Sequence, residues 1–173
     1  KTKNSPSPHF PRDNLPWGDT LQIPKPKHTC RIYFLNVNGI PIHNLQQAPH
    51  GHDTTNKLRC LGQQSDTKSI DFGGYSEVSI DWGFQEHDIF LQALQDYLPN
   101  LTSIETDSDI HYRTAFKPGG TISIATNQWA TRRTKRIIDR YGRWSGYSLR
   151  GTQEEVVHII TVYQANFADY AEH

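Results

Sequence analysis

The order of strand-like and helix-like segments restricts this chain to few architectures. From residue 30 it reads "CRIYFLNV", a strand, then "DTTNKLRCLGQQS", a helix opening at an Asp53 or Thr54 cap, then "SIDFGGYSE", a second short strand. In "FQEHDIFLQALQDYLP", Phe84, Ile89, Phe90, Ala93, Leu94 and Tyr97 recur at helical spacing until Pro99 stops them. After Leu101 come four strand-like segments, "SIETDSDIHY", "GGTISIATNQ", "GRWSGYSLRG" and "VVHIITVYQ", with a helix predicted over 130–142 between the second and third. A doubly wound sheet needs strand and helix to alternate throughout. Two strands crossed by helices and followed by a strand-rich half instead predict an α/β layered sandwich.

The ends of the first two strands are chemically marked. Asn36 and Asn38 close "RIYFLNVNGI" two residues apart, so in a strand both amides face the same side at its C-terminal end. Glu77 closes the second strand in the same way, and adjacent parallel strands bring such ends together. An amide and a carboxylate there form a hard-oxygen cluster of the type that Mg²⁺ accepts while keeping several waters. The same residues also fit plainer roles: an Asx-type turn of Asn36 and Asn38 with Gly39, and a solvated loop carboxylate at Glu77.

Composition sets the remaining bounds. At 173 residues the chain is one domain's worth. Six of the ten prolines fall in residues 1–26, a density that excludes regular structure, so residues 1–27 are expected to form a disordered arm and residues 28–173 the domain. Lys+Arg and Asp+Glu are equal at 18 each, so a polyanion would have to meet a local patch. "TRRTKRIIDRYGR" is such a patch: Arg132, Arg133, Lys135, Arg136, Arg140 and Arg143 stand against Asp139 alone, which suits a phosphate backbone and equally a solvated helix face. Cys30 and Cys60 are too few for a disulfide framework or a zinc site. No run of about 18 apolar residues and no leader pattern occurs, so membrane insertion and classical secretion are not supported. An intracellular setting, the nucleus included, is the expectation. The chain starts Lys1-Thr2-Lys3 and contains no Met, which suggests a piece of something longer.

Taken in order, "LNVNGI", "SEVSIDW", "FKPGGTISIA", "GRW" and "VHIITVYQAN" resemble the endonuclease/exonuclease/phosphatase superfamily, nearest the apurinic-endonuclease-like domains of exonuclease III type and of retrotransposons. The resemblance implies a four-layer α/β sandwich, two packed β-sheets flanked by helices, of which this chain would hold an incomplete N-terminal part. It implies Mg²⁺- or Mn²⁺-dependent phosphodiester hydrolysis. On this likeness Asn36 lies near the scissile phosphate and Asn38 falls where members carry Asp or Asn close to the metal. Glu77 matches the metal-binding glutamate, Tyr163 matches the tyrosine that reaches the phosphate, and Asn166 matches an asparagine on the substrate backbone. Tyr163, taken alone, also fits a core strand aromatic. Two positions depart from the pattern: Ser76 stands where many members have Gln, and Ala165 where many have Pro.

The implied function is the N-terminal portion of a DNA endonuclease of a retroelement or a repair-type nuclease. DNA is then the partner, together with a downstream part of the same polypeptide such as a reverse transcriptase. Arg132, Arg133 and Arg136 would touch the nucleic acid. The alternatives are a phosphatase of the same fold acting on a phospholipid or inositol phosphate, and a non-catalytic nucleic-acid-binding remnant. The family's Gly-Asp-x-Asn segment and its water-activating Ser-Asp-His segment do not occur in the sequence. The "DSDIH" cluster, with Asp107, Asp109 and His111, lies in the wrong place for the latter and reads as a loop and edge strand. His50 and His52 read as a polar turn, and "KPGGT" as a hairpin turn rather than a phosphate-binding loop.

Overall fold

A computed structural model describes residues 24–40, 54–82, 92, 94–98, 102–109, 119–151 and 153–164. Strand β1 (Ile32–Asn36) is followed by helix α1 (Thr54–Thr67) and strand β2 (Phe72–Ser76). Strands β3 (Thr102–Asp107) and β4 (Thr121–Thr126) complete a four-stranded sheet in the order β1-β2-β4-β3. The β1–β2 pair is parallel, and β4 runs antiparallel to both of its neighbours. Strands β5 (Arg133–Ile138), β6 (Trp144–Arg150) and β7 (Val156–Val162) form a second, antiparallel sheet in that order.

Period-2 alternation sorts the first sheet's side chains between two layers. Tyr75, Ile122 and Ile124 are buried on one face beneath Leu61 of α1 and beneath Leu94 and Leu98. The expected helix over 84–99 is described only at its end, where Asp96 N–H donates to Gln92 O at 3.0 Å. Helix α1 stops in a Schellman-type turn. Ser69 takes φ 50°, and Ile70 N–H reaches back to Ser65 O at 2.9 Å.

The opposite face packs on the second sheet, giving the two packed sheets of an α/β sandwich. Phe72 and Ala125 meet Tyr147 and Leu149 there, with Trp129 and Ile159 alongside. Hydroxyls fill the middle of the seam: Ser123 Oγ lies 2.6 Å from Thr161 Oγ1 and 3.1 Å from Ser145 Oγ. Tyr147 Oη donates toward Ser103 O at 2.6 Å and Ser123 O at 2.5 Å. Burial, reinforced by the Glu105 charge, pushes that phenol far above its ordinary range, so it stays a donor. Glycine lets the layers approach at Gly74, where a Cβ would collide with the Phe34 ring and Thr161 Oγ1.

The segment over 130–142 is not the predicted helix. Asn127–Arg132 is a short 3₁₀-helix, and Arg133–Ile138 is strand β5. Thr134, Ile137 and Ile138 are β-branched and favour a strand, and pairing along β6 outweighs the helix propensity of the Arg/Lys positions. The strand also brings two guanidinium groups to the buried carboxylate of Glu105. Arg133 Nη1 contacts Oε1, and Arg136 Nε lies 2.8 Å from Oε2. This ion-paired flank closes the sandwich between β3 and β5.

Among the described residues, the other flank is open. Phe34 of β1, and Ile160 and Val162 of β7, stay 40–62% exposed around a cleft of about 320 Å³ that reaches Asn36 and Ser76. Residues 1–23 of the Pro-rich arm lie outside the described residues. Lys25 Nζ, just after them, pairs with Asp71 at 2.8 Å. Among the described residues no helix is long and apolar enough to cross a membrane, and Cys30 and Cys60 are free.

Candidate functional site

The strand register carries Asn36, Glu77 and Tyr163 to one end of the sandwich. Asn36 pairs with Ser76, so the residue after β2 is Glu77. Beyond the strands, Val37 N–H donates to Ser76 O at 3.0 Å and Gly39 N–H to Glu77 O at 2.6 Å, which keeps the two chain exits side by side. Ser79 N–H donates to Gly119 O at 2.8 Å, joining the start of β4 to the same cluster. Tyr163 packs its ring on that glycine. A Cβ at Gly119, where φ is 79°, would come 2.7 Å from Tyr163 Cε1, so the close approach requires glycine.

The backbone at this end is unusual. Asn38 (φ 47°), Glu77 (φ 54°) and Ser79 (φ 57°) are left-handed, beside Gly39, Gly119 and Gly120. Asn36 Oδ1 accepts the Asn38 N–H at 2.9 Å, an Asx turn. The turn and the phosphate role are compatible, because the oxygen is used locally while Nδ2 is the donor a phosphate would need. Lys57 of α1 fixes the turn from outside: its ammonium donates to Gly39 O at 2.6 Å and Asn38 O at 3.2 Å. Nothing in a sequence pattern marks Lys57, since its role depends on how α1 packs over the sheet.

Across the row from Asn36 and Ser76, the register continues through Thr121 to Asp107. Burial lifts Asp107 from 3.8 to about 6 against the opposing backbone N–H groups of Asp139 and Ser108, with the Asp139 charge adding to the rise. Asp139 N–H donates to Asp107 Oδ2 at 2.6 Å. Burial works against the Asp139 charge, but the hydrogen bond and charge of Arg143 hold that carboxyl below its ordinary value. Asp107 does end an edge strand, as the reading of "DSDIH" expects, but its burial arises only when β5 and its exit close over β3.

The other sequence candidates are distributed differently. Arg133 and Arg136 are tied to Glu105, and Arg136 also donates to Thr106 O at 3.2 Å. Arg132 stacks over Trp129 with its guanidinium 5.2 Å from the ring centre. It precedes β5, whereas Asp139, which follows β5, contacts Asp107; Arg132 therefore lies at the far end of the sandwich from Glu77. Asn166, His111, His50 and His52 lie outside the described residues.

As a cation site, this end offers, among the described residues, the half-buried Glu77, whose chain exit runs beside that of Asn38. That donor set fits a weakly held Mg²⁺ or Mn²⁺ that keeps most of its waters. Among the described residues, no three His, Cys, Asp or Glu side chains are grouped to hold a metal.

No protein-family model matches the chain, and no curated protein sequence does. Among solved structures it is similar to an endonuclease/exonuclease/phosphatase family protein from Leptotrichia buccalis C-1013-b, with a TM-score of 0.50 and 12% identity. The likeness covers 79% of this chain and 55% of that one, so the chain spans about half the length of the structure it matches. What the two share is the fold, the packed-sheet α/β sandwich.

Proposed function

We propose that this chain carries the phosphate-binding portion of a metal-dependent phosphodiester hydrolase, a nuclease acting on DNA in a retroelement or in repair. The observation that carries the reading is the meeting of Asn36, Glu77 and Tyr163 at one end of a sandwich shared with an endonuclease/exonuclease/phosphatase family protein. Phosphodiester cleavage needs positive charge on the non-bridging oxygens and neutral donors that hold the phosphate without repelling it. Asn36 Nδ2 and Tyr163 Oη are such donors. Glu77 and Asn38 would hold Mg²⁺ or Mn²⁺, which supplies Lewis-acid stabilisation of phosphoryl charge when bound. The Asx turn and the Lys57 ammonium keep the Asn36 amide oriented before substrate arrives. Asn166 would meet the nucleic-acid backbone, Arg132 only a part of it remote from Glu77 at the other end of the sandwich, and a downstream part of the same polypeptide would supply the water-activating groups.

The test is direct. Mg²⁺ or Mn²⁺ raises the melting temperature of the wild-type chain and leaves Glu77→Gln unmoved; an equal response in both removes Glu77 from the site. Residues 1–173 alone hydrolyse plasmid DNA poorly, since the sequence lacks the Ser-Asp-His base segment and general base catalysis contributes ~10²–10⁴-fold. Robust Mg²⁺-dependent nicking that Glu77→Ala abolishes would show that the chain already contains its own base.

A further inference from the structure

Beside Tyr163 lies a cluster of flat side chains that the phosphate chemistry does not use. The Arg143 guanidinium carbon is 4.9 Å from the Tyr141 ring centre and 4.7 Å from that of Trp144, both within cation–π range. Asp139 fixes the guanidinium, with Nε–Oδ2 at 2.7 Å and Nη2–Oδ1 at 3.4 Å. Tyr141 is nevertheless 52% exposed, so its ring is positioned without being buried. The cluster is coupled to the candidate site through the backbone. Tyr163 N–H donates to Arg143 O at 2.6 Å, and Trp144 sits opposite Val162, one residue before Tyr163.

We infer that Tyr141, Arg143 and Trp144 form a stacking platform for an unpaired nucleobase adjoining the phosphodiester bound at Asn36, Glu77 and Tyr163. This rests on the nuclease reading of that site. Three flat groups, two of them aromatic and one cationic, match the π-face of a base. An inositol ring has no such face, and in a duplex both faces of each base are covered by its neighbours. Asp139 already offsets the Arg143 charge, so the platform acts through stacking rather than through phosphate neutralisation. Arg140, exposed next to Tyr141, is placed for the backbone of the same strand.

The experiment is fluorescence anisotropy with labelled oligothymidylate, oligouridylate and a blunt duplex of equal length, across a salt series. Wild type binds the single strands more tightly than the duplex, and the two single strands separate DNA from RNA as the source of the base. Tyr141→Ala and Trp144→Ala each weaken single-strand binding by about five-fold or more without changing the salt slope, whereas Tyr141→Phe binds like wild type. Melting curves confirm that the variants fold; Tyr141→Ala, at an exposed position, keeps the test valid if Trp144→Ala does not. The inference is overturned by wild-type chain that binds no single strand, by a preference for duplex, by Tyr141→Ala binding like wild type, or by an altered salt slope. Glu77→Gln separates the two readings. Stacking that survives while the wild-type chain shows no Mg²⁺ response sinks the nuclease reading alone, and a Glu77-dependent Mg²⁺ response without stacking sinks the platform alone.

Discussion

Replacing Asp107 by Asn should make the protein more stable at neutral pH. The Asp107 side chain ends β3 under the exit of β5, and the residue is 7% exposed. Burial carries its carboxyl from 3.8 to about 6 in the folded chain. A group whose folded pKa is raised contributes most below its unfolded pKa, and that contribution is lost as pH rises through the folded value. Between 3.8 and about 6 the folded state therefore holds more protons than the unfolded state, and stability falls with rising pH. At 1.36 kcal/mol per unit the full loss is about 3 kcal/mol. Asn never ionises, and its Oδ1 can accept the Asp139 N–H that Asp107 Oδ2 accepts at 2.6 Å. Urea unfolding of both proteins from about pH 4 to about pH 8 isolates the effect, because the remaining groups titrate in both. The gain in Asp107→Asn should be near zero at the acid end and approach about 3 kcal/mol at the alkaline end. A difference that does not vary with pH, or a variant that is less stable at neutral pH, would refute the reasoning and mean that ionised Asp107 is held by a favourable charge partner.

The other predictions concern the seam between the sheets. Arg133→Met combined with Arg136→Met strands the Glu105 carboxylate, and should cost roughly 2–4 kcal/mol in chemical unfolding; adding Glu105→Leu should recover most of it. A loss below about 0.5 kcal/mol in the double variant would reduce the clamp to a surface pair. Tyr147→Phe removes the donor shared by two carbonyls at 2.6 and 2.5 Å. It should cost about 1–2 kcal/mol, read as a lower urea midpoint at unchanged slope.

Much of the first sheet was readable from its short apolar and β-branched runs. The apolar run Ile32–Leu35 closed by Asn36 already reads as a strand, and the parallel β1–β2 pair needs only a connecting helix. The nearness of Asn36 to Glu77 follows from that pairing alone. The segment over 130–142 misled for a physical reason. Ile137 and Ile138 satisfy a helical face or a strand equally well, and the deciding contact, Glu105 on β3, is 28 residues from Arg133. Asp107 was hidden in the same way. Its setting is made by Asp139, 32 residues later, and a lone Asp in a polar run carries no mark of future burial. The role of Lys57 likewise appears only when α1 lies across the Asn38–Gly39 turn.

The left-handed backbone at Glu77 and Ser79 has a consequence for how this chain would respond to selection. An L-residue in that region is disfavoured by about 1 kcal/mol relative to glycine, so Glu77→Gly and Ser79→Gly are candidate stabilising changes, partly offset by a looser unfolded chain. A library screened only for heat resistance would therefore be drawn to position 77 and would discard the Glu77 carboxylate of the candidate cation site as it improved. Screened for a Mg²⁺-dependent property instead, the same library should keep Glu77 and accept its conformational cost. The residue recovered at position 77 under each regime would thus report whether the molecule retains that backbone for its fold or for its chemistry.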